Sequence, residues 1–179
     1  MEAVNKKENT YGKLVYLWLV LGAVALIVFD QLMKYAAVIN LKDKPSCVLI
    51  DNVLELRYLE NRGAAFSMLQ DKQIIFSIIT IIFVIVAVYV LVKVPKNKFY
   101  MPLVVTVLFL FSGAIGNFID RLSNGYVVDF IYFSIIDFSI FNVADIYVSL
   151  SVIDLVILIL FKYKDADLDF VKTSKKKDK

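Results

Sequence analysis

Four apolar runs divide this chain, at residues 14–39, 74–93, 100–121 and 142–162. Each approaches or exceeds the ~20 residues a helix needs to cross the hydrocarbon core of a bilayer. The whole sequence is only 179 residues, and 60% of it is hydrophobic, against roughly 45–50% in soluble domains. A water-soluble fold of this size has nowhere to bury four such runs. The pattern predicts an all-α membrane protein with four transmembrane helices, a single membrane domain over 1–179. The outer loops are expected at 40–73 and 122–141, and a basic cytoplasmic tail at 163–179. The first run follows Lys6, Lys7 and Lys13 and carries an Ala-x-Ala at 23–25, as a cleavable leader would. It continues apolar past that point through 26–29, so a retained helix is the better reading.

Basic residues set the orientation. The N-terminal tail, the turn KVPKNK at 93–98 and the C-terminal tail carry 13 of the 20 Lys and Arg. These segments are expected on the cytoplasmic side of a multi-pass protein, with both termini inside and segments 40–73 and 120–141 outside. The terminal KTSKKKDK reads as a solvated end beside anionic lipid; a nucleic-acid partner is not expected.

At a rise of about 1.5 Å per residue, Asp30 lies near the outer end of the first helix. Asn117, Asp120 and Arg121 close the third helix on the same side, and Asn142 and Asp145 open the fourth. Polar groups from three helices therefore meet at one depth, where ionisable side chains are costly and usually functional. Asp30 and Lys34 are i,i+4 neighbours and can pair. Asp154 lies nine residues beyond Asp145, on the opposite helix face, and reads as a packing residue. The loop stretches 46–66 and 125–133 look strand-like, with Asp51-Asn52 as a turn.

Histidine is absent and cysteine occurs once, at Cys47. This excludes Ser-His chemistry, His-ligated metal and an internal disulfide, and a thiol nucleophile has no imidazole to activate it. A pair of carboxyls remains as the simplest catalytic device: two that crowd each other share a proton, so one acts as base and the other as acid. The residues alone leave three readings open. One is aspartic-type peptide hydrolysis. The others are a proton- or cation-coupled transporter subunit and a non-catalytic membrane assembly factor.

Five stretches narrow this. DQLMK (30–34), ENRGAAFSML (60–69), SGAIGNFIDR (112–121), VVDFI (127–131) and FNVAD (141–145) together resemble the lipoprotein signal peptidase (signal peptidase II) family of bacterial membrane aspartyl peptidases. The similarity covers about residues 14–161. It implies an enzyme that removes signal peptides from prolipoproteins, cutting just before a diacylglyceryl-modified cysteine. It also implies a monomer of the cytoplasmic (inner) membrane, working among membrane lipids without cofactor or metal and inhibited by globomycin-type compounds.

By resemblance, Asp129 and Asp145 match the catalytic pair. Asp30, Lys34, Asn61, Gly63, Asn117, Asp120, Arg121, Asn142 and Ala144 match positions that bind substrate or support the site. Arg121 is expected either to orient substrate or to pair with Asp120 or Asp30. Tyr58 and Phe66, with Gly63 for a tight approach, are expected either to line the peptide groove or only to seat the loop. The implied fold adds a small extracytoplasmic β-cradle at 46–60 and a short surface helix near 62–73. Ser112 stands where the family commonly has glycine. Asp154 and the acidic stretch 164–170 are not family features.

Overall fold

Four long apolar helices carry the chain back and forth in the computed structural model, which describes residue 12, residues 14–63 and residues 73–171. They are α1 (Leu14–Leu41), α2 (Gln73–Lys93), α3 (Met101–Asn124) and α4 (Val143–Ile157), the last continued by a π-helical turn at Leu158–Lys162. All four are long and apolar enough to cross a membrane. The helix α3 is the central one: α1, α2 and α4 all pack on it, and it is the most buried of the spans. The other helices leave most of their apolar side chains exposed, α1 and α2 most of all. Such surfaces suit lipid, where apolar exposure carries no hydrophobic penalty.

The α3–α4 crossing is close because its residues are small. A β-carbon on Gly113 would stand 2.6 Å from the Ala144 carbonyl oxygen. Ser112 is fully buried and returns its hydroxyl to the Leu108 carbonyl at 2.8 Å, so a serine fits this close crossing without an unsatisfied group.

A three-stranded antiparallel sheet sits at one end of the bundle, in the order β1 (Cys47–Ile50), β2 (Leu54–Asn61), β3 (Val127–Phe133). The β1–β2 turn places Asn52 at φ 57°, a conformation asparagine tolerates better than most residues. The cradle is thus larger than segment 46–60. Its third strand comes from the stretch after α3, which ends on Gly125 at φ 77°. The pairing sets Leu59 opposite Asp129 and Asn61 opposite Val127, so Asn61 lies diagonal to Asp129 on one face. Most of the segment expected to form a surface helix, with Phe66, lies outside the described residues, as does the terminal 172–179.

Candidate active site

Asp145 owes its position to the start of α4. Asn142 is the N-cap: its side-chain oxygen accepts from the Asp145 N–H at 3.0 Å, and the Asp145 carboxylate accepts from the Asn142 N–H at 3.1 Å. This reciprocal capping box satisfies two helix-end donors, and it also locks one carboxyl oxygen of Asp145. The other oxygen accepts from Asn117 Nδ2 at 2.8 Å.

Asp129 comes from β3 and is 1% exposed. Asn61 Nδ2 donates to one of its oxygens at 2.8 Å and Asn142 Nδ2 to the other at 2.6 Å. Asn142 therefore holds both carboxyls, one through its side chain and one through its backbone. Burial, and then the charge of Asp145, push the Asp129 carboxyl up to about 7. Gly63 is buried and gives its N–H to Asn61 Oδ1 at 3.0 Å, which orients the amide that Asn61 presents to Asp129.

Lys34 is the hub beneath. It is 3% exposed, and its ammonium lies 2.9 Å from Asp30, 3.2 Å from Asp120 and 2.8 Å from the Asn117 oxygen. Each carboxylate does a second job: Asp30 accepts from the Ala144 N–H at 2.9 Å, and Asp120 from the Val128 N–H at 3.0 Å. Lys34 thus ties α1 to α3, while Asp30 reaches α4 and Asp120 reaches β3 one residue before Asp129. Gln31 joins them, donating to Asp120 at 3.0 Å and to the Gly116 carbonyl at 3.1 Å. The sequence reading passed over Gln31; an amide in an apolar helix beside Asp30 was the available signal.

At Gly116 the packing against Asp30 leaves no room for a side chain. A β-carbon on Gly116 would fall 2.5 Å from Asp30 Oδ2, and Asp30 is fully buried. Gly116→Ala is expected to lower stability by about 1–3 kcal/mol, the usual cost of overpacking, and a thermal unfolding curve in detergent checks it. A midpoint equal to wild type would show that Asp30 can move aside.

Arg121 departs from one of its two expected roles. Asp120 and Asp30 are both taken by Lys34, and Arg121 instead donates to the Asn117 carbonyl at 3.3 Å with its guanidinium over the Phe76 ring at 5.6 Å. Tyr58 donates its hydroxyl to Glu60 at 3.3 Å. Glu60 also pairs with Lys42 and Arg62, each at 3.0 Å, and the Lys42 hydrogen bond leads in holding its carboxyl down at about 2. This rim links the end of α1 to β2 next to Asn61. Away from the site, Asp154 bonds the Thr106 hydroxyl across the α3–α4 interface, as a packing residue should. Among the described residues no cluster of His, Cys, Asp and Glu suits a metal ion.

A family model described as "Signal peptidase (SPase) II" matches residues 22–161. The chain belongs to the signal peptidase II family. It is 45% identical over 135 residues to a lipoprotein signal peptidase of Streptococcus pneumoniae, covering 75% of this chain and 87% of the relative. With one from Streptococcus thermophilus it shares 45% over 138 residues, covering 77% and 88%. With one from Streptococcus pyogenes it shares 41% over 146 residues, covering 82% and 94%. A solved bacterial membrane enzyme, determined by the in meso method at 2.3 Å, superposes with a TM-score of 0.74 at 36% identity, covering 88% of this chain and 96% of that one. Membership makes the chain a membrane-embedded, multi-pass peptidase. The family leaves the transporter and assembly-factor readings without support.

Proposed function

We propose that this peptidase is of the aspartic type and removes signal peptides from diacylglyceryl-modified prolipoproteins, with Asp129 and Asp145 as its catalytic pair. The observation that carries this is Asn142, which bonds one carboxyl through its side chain and the other through its backbone. Two carboxyls held by one residue are what a pair serving a single reacting centre needs. In this mechanism Asp145 takes a proton from a water that attacks the scissile carbonyl carbon. Asp129, held up to about 7 and so protonated at neutral pH or below, gives its proton to the carbonyl oxygen. The tetrahedral diol then collapses: the C–N bond breaks, the nitrogen takes the proton held by Asp145, and a diol hydroxyl returns one to Asp129. A carboxyl-ended signal peptide and a lipid-modified cysteine with a free amine result.

The remaining residues support the pair. Asn61 and Asn117 orient the two carboxyls, Gly63 orients Asn61, and Lys34, Asp30, Asp120 and Ala144 brace the elements that carry them. Arg121, hydrogen-bonded to the Asn117 carbonyl, set over the Phe76 ring and within electrostatic reach of Asp145 and Asp129, suits contact with the substrate backbone or its phosphate-free glyceride head beside the pair. The sheet end faces outward, because 13 of the 20 basic residues lie in segments at the other end or in the tails. The carboxyls then stand at the outer surface, level with a cysteine whose acyl chains remain in the bilayer.

The test is a gel-shift assay with purified protein in detergent. A diacylglyceryl-modified prolipoprotein should be cleaved before its cysteine and the unmodified precursor should not. The rate should fall as pH rises through about 7, where Asp129 loses the proton that it must donate. Absence of cleavage by folded protein would refute the reading, and a rate flat from pH 6 to 9 would remove Asp129 from the acid's role.

A further inference from the structure

The pairing of β2 with β3 is interrupted once. Leu56 stands opposite Ile131 and Leu59 opposite Asp129, so β2 advances three residues where β3 advances two. The extra residue is held in a bulge at Arg57 and Tyr58. Side chains alternate across a strand, so a slip of one residue sends every following side chain to the other face. Without the bulge, Tyr58 would stand opposite Asp129, and Leu59 would stand opposite Val128 on the other face. With it, Leu59 is set against Asp129, and Tyr58 turns its hydroxyl to Glu60 at 3.3 Å.

Residues directly opposite each other in an antiparallel pair project on one side, with their β-carbons about 4.5–5.5 Å apart. Among the described residues that flank Asp129 on this sheet face, Val127 is buried, Leu56 and Ile131 are partly covered by the core, and Asn61 is bonded to the Asp129 carboxyl. Leu59 alone of them is exposed, at 40%, beside an aspartate that is 1% exposed. A single exposed leucine is ordinary on an open surface. Here a bulge, a feature over-represented beside active sites because it re-aims a side chain, aims an open apolar group at the acid of the pair.

We propose that Leu59 is a specificity-determining residue whose side chain limits the size of the substrate residue immediately before the cysteine. This rests on the mechanism proposed above. There Asp129 protonates the scissile carbonyl oxygen, and Asp145 returns a proton to the leaving nitrogen. The carbonyl belongs to the residue before the cysteine, whose α-carbon is two bonds from that oxygen. The leaving nitrogen belongs to the lipid-bearing cysteine. The preceding residue therefore lies on the Asp129 side, within a side chain's length of Leu59, while the acyl chains follow the nitrogen toward α4. Leu59 fills the space that a bulky side chain at that position would take, and a glycine or alanine there leaves it undisturbed.

The experiment measures kcat/KM on diacylglyceryl-modified prolipoproteins that differ only in the residue before the cysteine, alanine in one and leucine in the other. Wild type should favour alanine by about tenfold or more, since one methylene in an apolar contact changes discrimination by about 10–200-fold. L59A should cut that preference by about tenfold through a gain on the leucine substrate, and a damaged fold cannot produce a gain. L59F should act in the opposite sense, slowing the alanine substrate relative to a glycine one. Equal rates of wild type on alanine and leucine, a ratio unchanged in both variants, or an equal loss on every substrate overturns the assignment. A change in L59A that follows the length of the diacylglyceryl chains in place of residue size also overturns it, and gives Leu59 to the lipid. Failure of wild type to cleave even the alanine substrate would instead sink the prolipoprotein reading.

Discussion

Asp145→Asn and Asp129→Asn are each expected to reduce cleavage by at least about 10³-fold, since in the proposed mechanism each removes a proton-transfer group from a step where such groups contribute on the order of 10²–10⁴-fold and the pair acts as a unit. The losses should occur in folded protein. An amide at position 145 can still accept from Asn117 through its oxygen, and an amide at 129 can still accept from one of its two asparagine partners. The Asp129 variant carries an additional signature. Its carboxyl is raised in the folded chain, so the group's contribution to stability is full below the ordinary carboxylate range and is lost as pH rises through about 7. Asparagine does not titrate. Asp129→Asn should therefore gain on wild type between pH 5 and pH 8, by on the order of 3 kcal/mol. The measurement is a paired set of cleavage rates and unfolding midpoints. Near-normal cleavage by either variant would move the chemistry elsewhere, and a midpoint difference independent of pH would show that Asp129 does not titrate as described.

Lys34→Met should be the most damaging substitution for the fold. Asp30 is fully buried and Asp120 is 3% exposed, and both face the same ammonium. Without it, two carboxylates remain in a cavity with no cation, and breaking a buried pair in this way costs about 3–5 kcal/mol. The damage would spread, because Asp30 holds the start of α4 through Ala144 and Asp120 holds β3 through Val128. The variant is expected to accumulate poorly and to unfold well below wild type. Adding Asp30→Asn removes one uncompensated charge and should recover part of the loss, giving a coupling of more than about 1 kcal/mol in the double-mutant cycle. Additive effects would show that Lys34 and Asp30 do not interact as the 2.9 Å separation indicates.

Much of this was readable in the chain itself. Hydropathy alone determined that the protein lives in a membrane, because four runs of bilayer-spanning length admit no other burial. Helical periodicity put Asp30 and Lys34 on one face, and position along each run brought Asn117, Asp120, Asn142 and Asp145 to one depth. The resemblance carried by five short motifs supplied the family. Tertiary structure alone decided the partners. Periodicity tells which face of an element a residue occupies, but not which element will lie against that face. It could not reveal that Lys34 serves Asp120 and Asn117 as well as Asp30, that β3 completes the sheet beside β2, that Arg121 sets its guanidinium over Phe76, or that 165–171 folds back onto α2. Those outcomes depend on contacts between residues dozens of positions apart, and such contacts form only where the packing of α3 against its three neighbours brings them within hydrogen-bond reach.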